Sequence, residues 1–231
     1  MATEFDYSYY LKVGQVGDRP ALRFYARLAR SYIRKGRVLD FGCGTGHFLK
    51  RLRTHFQVDG FDISEFSRTS SLRFVPDTGF FSSLEDIPSS LYAGITSLHV
   101  LEHATDTELE EILKTWRRAL LPDGKIICVI PDIDGKGHRI KGKGWVGFRD
   151  PSHINLKDRE TWKGLFSANG FAIERTGADG LWDFPYSQGL PRLLDAAVHS
   201  TFSVIQFLSG VLLLAEGAGE SSIFILSLDQ S

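Results

Sequence analysis

The feature that most restricts this chain is the run Arg37-Val-Leu-Asp-Phe-Gly-Cys-Gly-Thr-Gly-His-Phe48. Val38 to Phe41 has the length and apolar character of a short buried strand. Gly42, Gly44 and Gly46 make a turn, and a helix starts at His47. Strand, glycine turn and helix in that order build a nucleotide-sized crevice at the carboxyl end of a parallel strand. Glycine suits the turn because it tolerates positive φ and lets a ligand approach the backbone without meeting a Cβ. The spacing is G-x-G-x-G, which differs from the G-x-G-x-x-G that cradles a pyrophosphate, and no Lys-Ser or Lys-Thr follows to grip phosphates. Asp40 stands two residues before the first glycine. A carboxylate there repels phosphate and suits a ligand carrying an ammonium group.

Val38-Leu-Asp-Phe-Gly-Cys-Gly-Thr-Gly46 resembles motif I of the class I S-adenosylmethionine-dependent methyltransferases. That cofactor has an ammonium and a sulfonium and no phosphate, and its product is S-adenosylhomocysteine. The resemblance implies a doubly wound α/β fold. Its seven-stranded, mostly parallel sheet would place the last strand antiparallel between strands five and six. On that pattern Asp40, Gly42, Cys43 and Gly44 surround the cofactor, and Leu98 lies at the end of strand four beside it. Asp62 ends a second strand about 20 residues past the turn, where an acid accepts hydrogen bonds from ribose hydroxyls. Ile63 would pack beside the adenine. The loop Ser82 to Pro88 would supply backbone contacts from Ser83 and Leu84, with Glu85 or Asp86 reading the exocyclic amine.

The chain has 231 residues, 27 basic and 28 acidic side chains, and a formal net charge of -1. This fits one domain with insertions and suggests no polyanionic partner. The expected layout is an N-terminal cap region over 1–36, a cofactor-binding core over 37–178, a helical substrate-side insertion over 179–221 and a final strand over 222–231. Cys43 and Cys128 fall on predicted core elements and read as buried thiols of a reducing compartment. Residues 1–10 lack signal-peptide character, and the expected location is cytoplasmic.

Tyr7, Tyr9 and Tyr10 precede the first long helix, and the resemblance implies that such a segment folds over the cofactor. Asp18 reads as an N-cap with Pro20 in the first turn. The helix from Ala21 to Ile33 is amphipathic, with Arg23, Arg27, Arg30 and Arg34 opposite its apolar face. We read that row as a solvated face and not as a nucleic-acid footprint, because no aromatics are interleaved with it.

Ile95 to His99 reads as strand four, continued by Val100-Leu-Glu-His103. His99-Val-Leu-Glu-His103 formally matches H-x-x-E-H, a zinc pattern that needs both histidines on one helical face. His99 falls at a strand end, so no metal is expected. The wider string resembles the strand-four signature of methyltransferases of small molecules and sugars, with Glu102 and His103 orienting the loop. A helix over Thr107 to Leu120 and a strand over Ile126 to Ile130 follow. Asp132 to Val146 reads as a mobile lid. His153 follows Asp150 on a loop that faces the cleft in the resembling subgroup.

Ala196 to Ala215 has no formally charged side chain over 20 residues, enough to cross a bilayer. Ser222 to Leu228 follows at once and reads as a strand that must rejoin the sheet. The stretch is therefore expected to be buried helix on the substrate side, with membrane or protein contact as the second reading.

These features point to methyl transfer onto a hydroxyl or amine of a small molecule, such as a sugar or secondary metabolite. His153 is the first choice of base and His99 the second. A non-catalytic cofactor-binding protein and an RNA or protein methyltransferase are the alternatives.

Overall fold

The computed structural model describes residues 5–14 and 16–229. Its centre is a seven-stranded sheet in the order β3-β2-β1-β4-β5-β7-β6. The strands are β1 (Arg37–Phe41), β2 (Gln57–Phe61), β3 (Gly79–Phe81), β4 (Tyr92–Leu98), β5 (Leu120–Pro131), β6 (Phe171–Ala178) and β7 (Ser221–Leu228). The pairs among β3, β2, β1, β4 and β5 are parallel, whereas β7 runs antiparallel to both β5 and β6. The expected sheet is found, with the last strand inserted where the resemblance placed it.

The helices are α1 (Tyr7–Lys12), α2 (Pro20–Tyr32), α3 (His47–Leu52), α4 (Glu65–Leu72), α5 (Asp106–Ala119), α6 (Lys136–Lys141), α7 (Arg159–Ala168) and α8 (Arg192–Ser209). They cover both faces of the sheet, which is why the central strands read as unbroken apolar runs. Successive side chains of a strand point to opposite faces. Leu39 and Phe41 thus join Trp116 of α5 and Phe166 of α7 in one core. Val38 joins Leu28 of α2 and Leu49 of α3 in the other. Both cysteines are buried and free.

The strand order reverses at β1, which pairs with β2 on one side and β4 on the other. Chains leaving β1 and β4 therefore part in opposite directions, and a crevice opens beyond their carboxyl ends. α5 begins beside that crevice under a capping box, in which Thr105 and Glu108 satisfy each other's backbone amides.

Three local expectations are corrected. Arg19, not Asp18, occupies the N-cap of α2, with Pro20 next; Asp18 instead binds the guanidinium of Arg51. The predicted mobile lid contains α6 and is pinned by Trp145, which is fully buried and donates from Nε1 to Glu220. The stretch 196–215 is not buried over the substrate side. Most of it belongs to α8, whose Leu193, Val198, Phe202 and Leu208 are exposed. Its carboxyl end is docked by one buried polar residue. Gln206 donates to the Ala178 carbonyl and accepts from the amides of Leu213 and Leu214. Arg27 of α2 caps the same helix through the carbonyls of Phe207 and Leu208. Among the described residues no helix is long and apolar enough to cross a membrane.

Burial separates two leucines only 19 positions apart. Leu212 is 1% exposed and Leu193 is 87% exposed. Leu212→Ala is expected to cost about 2–5 kcal/mol in chemical denaturation, and Leu193→Ser to change stability by less than about 0.5 kcal/mol.

Candidate active site

The crevice is built first by backbone. After β1 the amides of Gly42 and Cys43 both donate to the carbonyl of Phe61, at 2.8 and 3.0 Å. The amide of Gly44 donates to Asp62 Oδ2 at 2.9 Å. The turn is thereby tied to the end of β2. Gly42 has φ +78°, and a Cβ on it would lie 2.3 Å from Val100. Gly44 has φ +51°, and its missing Cβ faces the ring of Tyr10. Glycine is needed at both places, for conformation at each and for space at the first.

Two hollows share Gly42, Gly44 and Leu98. The larger, of about 240 Å³, is lined by aromatic and apolar side chains together with Asp62, Ile63, Leu84, His99 and His103. The smaller, of about 50 Å³, is lined by Asp40, Cys43, Arg19 and their neighbours. α1 roofs the larger hollow. Tyr9 donates to Asp150 at 2.8 Å and Tyr10 pairs with Ser67 at 2.8 Å, so both walls hold it.

The smaller hollow is lined by an acidic and a basic side chain, each with one buried polar atom that has no hydrogen-bond partner among the described residues. Asp40 is buried; its Oδ1 accepts from Thr96 at 2.9 Å, and its Oδ2 has no hydrogen-bond partner among the described residues. Burial raises its carboxyl to about 7. Arg19 presents a buried Nε that is equally unpaired. A ligand bearing both an ammonium and a carboxylate would satisfy the two. At the rim of the larger hollow, Asp62 accepts from Gly44 with one oxygen and from Ser64 with the other. The Ser67 side chain also bonds this carboxylate, and of its roughly four acceptor positions at least one is left for a ligand hydroxyl. Burial raises this carboxyl as well.

Opposite Asp62 lies a cluster of imidazoles. His99 ends β4 with φ +57°, a conformation uncommon for a non-glycine residue. Its Nδ1 is 3.5 Å from Glu102, a carboxylate with no exposed surface. His153 approaches the same oxygen at 3.8 Å, and its ring lies 4.8 Å from that of His103. Burial opposes ionisation of Glu102, yet His99, His103 and His153 together hold its carboxyl below its ordinary value. Burial lowers His103.

The structure brings Gly42, Gly44, Asp62, Ile63, Leu84, Leu98 and His99 onto the wall of the larger hollow, and Asp40 and Cys43 onto the smaller. Ser83, Glu85 and Asp86 line neither. The chain turns at a 3₁₀ helix beginning at Leu84, and of the loop Ser82 to Pro88 that residue lines the hollow while Ile87 is buried in the core. His153 is also absent from the lining, with His103 on the wall and packed against it. Arg19 escaped the sequence analysis as a site residue because it sits within a run of arginines that share no other role.

A sequence profile of the methyltransferase-domain family matches residues 15–176, from before α2 into β6. The chain belongs to that family. It is a methyltransferase, and its cofactor is S-adenosylmethionine. Comparison with curated proteins gives no significant sequence match. Among solved structures it is similar to an S-adenosylmethionine-dependent methyltransferase from Archaeoglobus fulgidus, with 19% identity, TM-score 0.67, and 96% of this chain and 100% of that one covered. It is also similar to a structure of the complex between the Haloferax volcanii Trm112 methyltransferase activator and the putative methyltransferase, with 17% identity, TM-score 0.69 and full coverage of both chains. A possible histamine N-methyltransferase from Thermotoga maritima matches with 14% identity, TM-score 0.64, and 96% and 94% covered. At these identities the likeness establishes the fold. The chemistry of the donor set fits such a cofactor: Asp40 Oδ2 and Arg19 Nε, each buried and without a hydrogen-bond partner among the described residues, suit an amino-acid end, and Asp62 suits ribose hydroxyls.

A pairing of Asp40 with the cofactor's ammonium would make affinity depend on pH in a set direction. Its folded carboxyl stays protonated up to about pH 7, whereas pairing with an ammonium favours the carboxylate. Binding should therefore release a proton below pH 7, and affinity should rise with pH and level off above it. Calorimetry with S-adenosylhomocysteine is expected to show roughly tenfold weaker binding at pH 6 than at pH 8. Asp40→Asn should flatten this dependence and weaken binding at pH 8 by roughly 10- to 100-fold, the worth of a charged hydrogen bond.

Proposed function

We propose that this methyltransferase acts on a hydroxyl group of a small-molecule acceptor held in the larger hollow. The observation that carries the reading is the roof. α1 is tied to Asp150 on one wall and Ser67 on the other, and it covers an aromatic chamber of about 240 Å³, a space of small-molecule size. The cofactor supplies an electrophilic methyl group on a sulfonium. Asp40 and Arg19 hold its amino-acid end, Asp62 its ribose, and Ile63 and Leu84 flank its base.

The chain then has three tasks. It aligns acceptor and methyl donor, which alone accounts for much of the acceleration in an in-line displacement. It excludes water, through Phe5, Tyr9 and Tyr10 above and Phe41 and Phe61 below. It receives the hydroxyl proton. His99 is better placed for this than His153, because its ring is on the chamber wall while His153 stands behind His103. The left-handed backbone at His99 aims that ring, a strain of the kind that collects at functional positions. Two free, buried thiols support a reducing, cytoplasmic setting.

Labelled methyl transfer into a cell extract tests the reading. Label is expected in the small-molecule fraction; label confined to RNA or protein would overturn it and would favour a macromolecular acceptor. His99→Asn, which suits the left-handed backbone, is expected to lower kcat by about 10²- to 10⁴-fold while leaving S-adenosylhomocysteine affinity within about twofold. Equal losses in both would assign His99 to cofactor binding.

A further inference from the structure

We propose that Glu102, His103 and His153 form a binding site for a divalent first-row transition ion behind the wall of the larger hollow, which His103 lines. One ligand atom from each of the three lies within 4.8 Å of the others. The role of the ion rests on the hydroxyl-methylating reading above; its binding does not.

The first support is an unsatisfied anion. Glu102 has no exposed surface, and neither of its carboxylate oxygens has a hydrogen-bond partner among the described residues. The nearest imidazole nitrogens stand 3.5 and 3.8 Å away, too far for good hydrogen bonds. A buried carboxylate left in that state is costly, and a cation between it and the rings removes the cost. Two ligand atoms on a tetrahedral zinc are roughly 3.3 Å apart, so the Glu102–His153 spacing of 3.8 Å must close by about 0.5 Å and the widest spacing in the trio by no more than about 1.5 Å.

The second support is the outer hydrogen bonding. His103 Nδ1 faces the Ser152 carbonyl at 3.1 Å, and His153 Nδ1 faces the Gly147 carbonyl at 2.7 Å. A carbonyl can only accept, so His153 carries a proton on Nδ1, and His103 does so when it donates to that carbonyl or to the Ser152 hydroxyl 3.0 Å away; in the neutral ring so oriented, Nε2 keeps its lone pair. Ligating histidines are oriented in this way. Asp150 is already engaged by Tyr9 and by the Ser152 amide, and at 3.8 Å from His153 it steadies the ring without ligating.

Two imidazoles and one carboxylate suit zinc, manganese or iron better than magnesium or calcium, which take oxygen donors. Three protein ligands leave at least one position of a tetrahedral ion open, the mark of a catalytic site, and His103 is the ligand of the three that lines the chamber. An acceptor oxygen there would lose its proton more readily. The O–H proton passes to His99 and then to water. The new O–CH₃ bond forms as the S–CH₃ bond breaks, and sulfur leaves with the electron pair. This narrows the acceptor to an alcohol or phenol. The arrangement is not the helical H-x-x-E-H of zinc proteases, since His99 ends a strand and Leu101–His103 is a 3₁₀ turn.

The test uses the full chain stripped with chelator and titrated separately with zinc, manganese, magnesium and calcium, with S-adenosylhomocysteine affinity measured alongside. Zinc or manganese is expected to bind one per chain, at least tenfold more tightly than magnesium or calcium. Glu102→Gln and His153→Ala should each weaken that binding at least tenfold while still binding S-adenosylhomocysteine, which reports a folded chain. If Glu102→Gln fails to fold, the manganese resonance spectrum of the wild type still decides, because imidazole nitrogens broaden it and oxygen-only binding does not. Absence of one-per-chain binding, unchanged affinity in both variants, or oxygen-only ligation would overturn the site. Loss of the metal with cofactor binding intact would leave the methyltransferase reading standing; absence of cofactor binding in the wild type would remove that reading instead.

Discussion

Three consecutive amides, those of Gly42, Cys43 and Gly44, end on the last residues of the neighbouring strand, two on the Phe61 carbonyl and one on Asp62. Everything at the site depends on that tie. It fixes the left-handed turn and holds the helix behind it. It also points one carboxylate, Asp62, along the rim while leaving another, Asp40, at the bottom of a small charged hollow. A turn free to move would bring neither acid to a set place. The cost is visible in the carboxyls themselves, both raised by burial. Two uncomfortable acids beside a glycine turn make sense as a ligand site and little sense as a structural device.

The second half of the site comes from elsewhere in the chain. β4 delivers His99, the 3₁₀ turn after it delivers Glu102 and His103, and the segment anchored by Trp145 delivers His153 from fifty residues later. α1 closes the chamber from the opposite side, binding Asp150 of that same segment through Tyr9. The glycine turn with its acids and the histidine cluster are thus carried by separate parts of the fold and meet beneath α1. This matches the general division in doubly wound folds, in which a shared crevice is completed by variable loops.

How much of this could be read in advance follows from where the information sits. The strand, turn and helix around Gly42 are contiguous, so periodicity and composition suffice, and Asp62 follows at a fixed distance in a βαβ unit. The last strand was legible because Ser222 to Leu228 is a short apolar run of strand character and the resemblance calls for an antiparallel strand at that place in the order. Arg19 was hidden by its arginine neighbours, since composition does not say which guanidinium turns inward. The pairing of Glu102 with His153 is a tertiary event with no local spacing. His99-Val-Leu-Glu-His103 drew attention to a helical zinc pattern, while the residues that actually cluster leave His99 at the edge. For α8, apolar content was mistaken for burial; one glutamine, Gln206, decides how that helix docks, and most of its apolar side chains face outward.

The most direct check on the central claim is a crystal structure of the full chain with S-adenosylhomocysteine. The amino group should lie against Asp40 and the carboxylate against Arg19, with the ribose hydroxyls on Asp62. A ligand whose sugar turns away from Asp62, or whose amino-acid end lies outside the Asp40 hollow, would contradict the account.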